Sequence, residues 1–181
     1  MPSWLPMRDL PSWLQAFAAI VALGISVWAV IRTNAAERRR DSLRARGIAV
    51  AIYPELLKLT PIVDDIRQRL AQLKKEQSGQ VGQSIAWITQ TTQIAVPPML
   101  ERNVDNLYLL DESAGPACLQ LVNILLQYNA LVADMSGRII QMNAQQWPEA
   151  IGHFDQHLDL VASLAAKSAT LVQEIHDTVQ G

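Results

Sequence analysis

Residues 14–31, LQAFAAIVALGISVWAVI, carry no charge, and only Gln15 and Ser26 are polar. As a helix, these 18 residues reach about 27 Å, close to the roughly 30 Å of a bilayer's hydrocarbon core. A helix half-buried in a soluble core needs a polar face, and this run has none. The pattern therefore predicts one transmembrane helix over residues 13–31. Trp13 and Trp28 stand near its ends, where aromatic rings meet the headgroups, and Pro11 suits a first helical turn.

The flanks predict orientation. Residues 1–12 form a short tail with one base, Arg8, and one acid, Asp9. Residues 32–46 hold six arginines, Arg32, Arg38, Arg39, Arg40, Arg44 and Arg46, against Glu37 and Asp41. Positive flanks stay in the cytoplasm, which puts the N-terminus outside the inner (plasma) membrane and the remaining chain inside. A cleaved signal peptide would carry its bases before a shorter apolar run, the reverse of this order. Arginines next to a span bind anionic headgroups, a reading preferred here to a nucleic-acid arm. Within the run, Ala18, Ala22 and Ser26 recur at the four-residue spacing that lets two helices approach, a weak pointer to a homo-oligomer.

Residues 47–181 are long enough for one domain with its own core. They hold eight basic and 14 acidic residues, a net charge of −6. Such a surface is repelled by phosphate backbones, so nucleic acid is not expected as a partner. Cys118 is the only cysteine, so no disulfide forms within the chain, in keeping with a reducing compartment.

Three stretches repeat apolar residues at alternating spacings of three and four. The first is Ile52, Leu56, Leu59, Val63, Ile66, Leu70 and Leu73. The second is Leu121, Leu125, Tyr128, Val132, Met135, Ile139 and Met142. The third is Ile151, Phe154, Leu158, Val161, Ala165, Ser168, Val172, Ile175 and Val179. These are seams of helices packed side by side, and Leu119, Leu126, Leu160, Leu164 and Leu171 widen them toward a closed bundle. Ser78–Gly82 reads as a loop, Gly115-Pro116 precedes the second helix and Trp147-Pro148 the third. Pro54 and Pro61 are expected to kink or break the first stretch, with Thr60 able to cap a fresh start. Ile85, Ile88, Thr92 and Ala95 suggest a short helix stopped by Pro97-Pro98, and residues 99–110 another, ended near Asp111 and Gly115. The expected fold is all-α: one N-terminal transmembrane helix, an Arg-rich juxtamembrane helix over residues 32–46, and an antiparallel bundle over residues 47–181. That bundle has three long helices and a broken, short-helical fourth element.

Chemistry-bearing residues are few. Glu149, His153 and His157 share a helix face at spacings of four and are candidate zinc or iron ligands. No second such pair supplies the opposite side of a site, so an exposed helix face is the preferred reading. Cys118 falls in a first helical turn, where the dipole lowers a thiol pKa, but its apolar neighbours favour a buried small residue. Asp64 and Asp65 are adjacent and diverge on a helix. Asp111-Glu112 reads as a turn, His176 as a cation in a last helical turn, and Asn129 as a register-fixing or solvated polar residue. Trp87 and Trp147 read as core or interface anchors. Phosphate-binding glycine loops, nucleophile elbows, HExxH and paired CxxC motifs are missing, and no cofactor is expected.

The expectation is a membrane-anchored, non-enzymatic interaction or scaffold protein, its acidic bundle binding an unidentified protein partner or its own copies. Three alternatives stand beside it: a signal relay from span to bundle, an envelope spacer or lysis protein of inverted topology, and a metal-dependent bundle enzyme.

Overall fold

The computed structural model describes residues 12–75, 92–139 and 146–177, and among them the chain is all-helical, without strands. Helix α1 (Ser12–Lys75) is followed by a short α2 (Pro98–Arg102), a 3-10 turn (Val104–Leu109), α3 (Ala114–Ile139) and α4 (Trp147–Asp177). The expected loop at Ser78–Gly82, together with Ile85, Trp87, Ile88, Met142 and Val179, lies outside the described residues, as do residues 1–11. The chain divides into two units, one up to Leu43 and one from Arg44.

The first unit is helical from Ser12, and its described side chains, from Phe17 onward, are exposed. Its few hydroxyls bond back to their own helix. Ser26 Oγ donates to the Ala22 carbonyl at 2.8 Å and Thr33 Oγ1 to the Ala29 carbonyl at 2.8 Å. This satisfies the hydroxyls without solvent. The Arg32 guanidinium lies over the Trp28 ring, 5.1 Å from its centroid, a cation–π contact at the charged end of the apolar run.

In the second unit one hydrophobic core joins α1, α3, α4 and the short elements. The first seam is buried as the spacing predicts: Ile52, Leu56, Leu59, Val63, Ile66 and Leu70. Ala45, Ile48 and Ala49 extend it toward the arginines. In α3, Leu121, Leu125, Tyr128, Val132 and Met135 are buried, and in α4 so are Phe154, Leu158, Val161, Ala165, Ser168 and Val172. Tyr128 meets Phe154 edge to face at 6.3 Å. Tyr53 stacks on His176 at 5.7 Å, and Arg67 pairs with Asp159.

Five expectations need correction. First, of the kink or break expected at Pro54 and Pro61, the break does not occur: α1 runs through both. Each proline removes one donor, leaving the carbonyls of Val50 and Leu57 without their helical partners. All four residues are exposed, so water can reach those carbonyls while the buried seam opposite holds the helix.

Second, Thr92 and Ala95 are not helical; residues 93–97 are without regular structure, and Pro97-Pro98 starts a helix. Pro98 occupies its first turn, where a missing N–H costs nothing. Third, residues 99–110 form no single helix, because α2 stops at Arg102 and a 3-10 turn takes over. Fourth, Leu119, Leu126 and Leu160 do not widen the core: they are exposed, whereas Leu164 and Leu171 do pack against it. The second helix also begins at Ala114, so Gly115 and Pro116 lie within its first turn.

Candidate functional site

Two long-range clamps hold residues 92–102 on the second unit. The Asn129 amide takes both backbone groups of Ile94: Ile94 N–H donates to Oδ1 at 3.0 Å, and Nδ2 donates to the Ile94 carbonyl at 2.8 Å. Asn129 is half-buried and is a tertiary clamp, more specific than either role expected for it. Pro97, at the cap position of α2, has no side-chain acceptor to offer. Glu55 of α1 supplies one, its Oε2 receiving the N–H of Met99 at 2.8 Å and of Leu100 at 3.3 Å. A carboxylate there also complements the positive end of the helix.

The start of α3 is built locally. Asp111 Oδ1 accepts from Ser113 N–H at 3.0 Å, Ser113 Oγ–H at 2.9 Å and Ala114 N–H at 2.6 Å. Burial pushes the Asp111 pKa up, but the bonds from Ala114 and Ser113 outweigh it and hold the carboxyl below its ordinary value. Gly115 packs so closely on the 3-10 turn that a Cβ there would overlap the Leu107 carbonyl oxygen and come within 3.3 Å of its carbon.

Beside these clamps lies a groove of about 340 Å³ lined by Arg44, Gly47, Ile48, Ala51, Asn103, Asn106 and Leu109. Asn103 Nδ2 is engaged by the Met99 carbonyl at 2.7 Å. The lining offers one cation and two amides over an apolar floor, and contains no carboxylate, imidazole or thiol.

Glu149, His153 and His157 all fall on α4, with Glu149 and His153 exposed and His157 half-buried. His157 Nδ1 lies 2.9 Å from the His153 backbone carbonyl oxygen, so the His157 ring is turned back onto its own helix. Among the described residues no group of three or more histidine, cysteine or carboxylate side chains is placed to hold a metal. Cys118 is fully buried. Burial drives its thiol up to about 11, the Ser168 side chain pulls it down and the Asp111 charge raises it further; the helix-start effect is overridden, and the thiol is inert at neutral pH. Tyr128, also buried, has its hydroxyl pKa raised by burial, with the Thr92 side chain opposing and the Asp155 charge adding.

Asp64 and Asp65 diverge, as adjacent helical residues must. Asp64 meets Arg67 at 3.6 Å and Asp65 meets Arg69 at 2.7 Å. His176 lies in the last turn of α4, with Nδ1 3.4 Å from Asp177. The side chains of Trp13 and Trp147 are outside the described set, and Arg38, Arg39, Arg40 and Arg46 are exposed along α1.

The feature sequence reasoning missed is the outer face of α3. Leu119, Asn123, Leu126, Ala130, Ala133 and Gly137 are all exposed, and their spacings of four and three put them on one face. Asp134 and Arg138 are the only charges in α3, and they pair with each other at 3.1 Å. The signal was available: a helix with so little charge presents only uncharged side chains along that face.

Among the described residues two helices, α1 and α3, are long and apolar enough to cross a membrane. The most apolar window of α1 is wholly exposed, whereas that of α3 is 39% buried. No protein-family model matches the chain, and no curated protein or solved structure matches it either.

Proposed function

We propose that this chain is a membrane-anchored, non-enzymatic helical interaction protein, with residues 13–31 in the bilayer and an acidic helical bundle on the cytoplasmic side. One observation carries the reading. Apolar side chains are exposed on every side of α1 from Phe17 to Ile31, and arginines follow directly. Water does not tolerate a continuous apolar surface of that size, and lipid does. The arginines then favour the cytoplasm and anionic headgroups.

The bundle reading draws support from contacts in opposite order along α1 and α4. Tyr53 pairs with His176, and Arg67, further along α1, pairs with Asp159, earlier on α4. Residues 92–110 are then the broken fourth element. The α3 helix belongs to this bundle and not to the bilayer, because Leu121, Leu125, Tyr128 and Val132 are used in the core. An interaction role follows from an anchor that concentrates the domain at a surface, together with an uncharged helix face open to a partner.

The test is topology. Replace Cys118 with Ala, place a cysteine at exposed Lys167, and treat intact cells with an impermeant thiol reagent. Labelling only after the membrane is opened is the expected result. Labelling of intact cells overturns the orientation and moves the domain outside. Complete release of the protein by alkaline carbonate overturns the anchor itself.

A further inference from the structure

We propose that the groove between α1 and the 3-10 turn binds a small phosphate ester, with the anion held by Arg44 and the carbon part laid over Ile48, Ala51 and Leu109. The groove is built wholly from residues of the second unit, so the inference stands apart from the membrane-anchored reading. One wall is a single face of α1, where Arg44, Gly47, Ile48 and Ala51 follow at helical spacing. The other is Asn103, Asn106 and Leu109, three residues apart along the 3-10 turn, a spacing that stacks side chains on one face there.

Gly47 points to a ligand. It lies in the interior of α1, where glycine costs about 1 kcal/mol relative to alanine. A Cβ added to it would meet no atom within 4 Å, so no close protein neighbour requires the glycine. It borders the groove, and a bare helix backbone there lets a bound molecule come directly against α1.

Charge and donor number select the ligand. Arg44 is the one cation of the lining, and the acids nearest in sequence, Asp41 and Asp105, do not line it. Arg44 already has a partner within the chain, but a guanidinium carries five N–H donors in a fork and takes a second acceptor. Asn103 gives one N–H to the Met99 carbonyl at 2.7 Å, and an amide has two. A carboxylate's two oxygens are filled by the fork alone, so the amides favour an anion with further oxygens, a phosphate. Residues 47–181 carry a net charge of −6, which repels polyanions, whereas a small ester meets chiefly the local lining once charges beyond about 8 Å are screened. The volume of about 340 Å³ is at the lower end of ligand sites, roughly 300–1,000 Å³, and suits one short carbon group beside the phosphate.

The probe is phenyl phosphate, titrated by calorimetry into the full chain in uncharged detergent. Saturable binding of one molecule per chain is expected. Arg44→Gln should weaken it by about tenfold or more, the scale of a lost charge-assisted pair. Asn106→Leu should also weaken it. Gly47→Leu should abolish it without lowering the unfolding midpoint, because the new side chain fills the groove. Arg46→Gln, exposed and outside the lining, should leave it unchanged. Absence of saturable binding overturns the proposal, as does binding that survives Arg44→Gln and Gly47→Leu. An equal loss with Arg46→Gln overturns it too, since the attraction is then a diffuse one. Should Gly47→Leu destabilise the fold, Asn106→Leu decides in its place, and unchanged binding overturns the site. Nanodiscs then separate the sources of the ester, at a salt concentration that screens the disc surface. Equal binding in phosphatidylcholine discs and in discs carrying phosphatidic acid means an ester from solution. Binding lost only with phosphatidic acid means that a lipid phosphate takes the groove.

Discussion

The Asn129 side chain stands in for a neighbouring strand: its amide receives the N–H of Ile94 and donates to the carbonyl of the same residue, at 3.0 and 2.8 Å. One residue of α3 thereby satisfies both backbone groups of a segment without regular structure. Asn129→Leu keeps the volume and removes both partners. Two half-buried backbone groups are left unpaired, and a loss of roughly 2–4 kcal/mol is expected. Asn129→Asp keeps the acceptor but sets an oxygen against the Ile94 carbonyl, so it should also destabilise. Thermal unfolding of the detergent-solubilised chain, followed by circular dichroism, reads both; an unchanged midpoint for Asn129→Leu would show the clamp to be idle.

Gly115→Ala offers a test in which propensity and packing have opposite signs. Alanine favours a helix over glycine by about 1 kcal/mol. Here its Cβ would overlap the Leu107 carbonyl oxygen, a backbone atom that cannot swing aside. A net loss of roughly 1–3 kcal/mol is expected, as for other overpacked sites. A stabilised variant would mean that the 3-10 turn yields easily.

Asp111 predicts a pH dependence with a fixed sign. Its folded pKa lies below the ordinary value of 3.8 because the bonds from Ala114 and Ser113 outweigh burial. A carboxyl lowered on folding binds fewer protons in the native state than in the unfolded one. Its contribution is full above the unfolded pKa of about 3.9 and is lost as pH falls through the lower folded value. Asp111→Ala should cost about 1 kcal/mol at neutral pH, the usual scale for losing such a cap, and less because the side chain is exposed. The gap between the two melting temperatures should narrow as the pH falls below about 4. A gap that stays constant over that range would assign the loss to something other than the charge.

Pro54→Ala and Pro61→Ala should each stabilise the protein. The substitution restores a helical hydrogen bond and a good helix former, worth up to about 3 kcal/mol in a helix interior. The looser unfolded chain takes back about 0.4–1 kcal/mol. A net gain of about 1–2 kcal/mol remains. Chemical denaturation of each variant checks it, and a loss would show that the core depends on the prolines themselves.

The seams were legible because burial repeats with the helix. Every described member of the first seam from Ile52 to Leu70 is buried, and so is each from Phe154 to Val172 in the third. Residues 92–110 were not legible in this way. Their structure depends on Glu55, on Asn129 and on the packing of Gly115, and no local pattern announces partners so far along the chain. Pro97-Pro98 was ambiguous in itself, since the same pair can end one helix or begin the next. The exposed leucines show a further limit. Leu126 and Leu125 are chemically alike, and only the geometry of the neighbours decides that Leu125 is buried while Leu126 is 54% exposed.

Glu55 and Asn129 lie 74 positions apart, and the stretch between Ile94 and Leu100 needs both. A ribosome adding about 5–20 residues each second needs roughly 4–15 s to cover that interval. Once Lys75 has been added α1 is complete, and for the rest of that interval its seam from Ile52 to Leu70 is still without α3 or α4 to cover it. On the membrane-anchored reading, the apolar run ahead of it is being delivered to the bilayer in the same interval. One helix thus has two hydrophobic destinations at once, and the arginines between them mark where the claim of the lipid ends and that of the nascent domain begins.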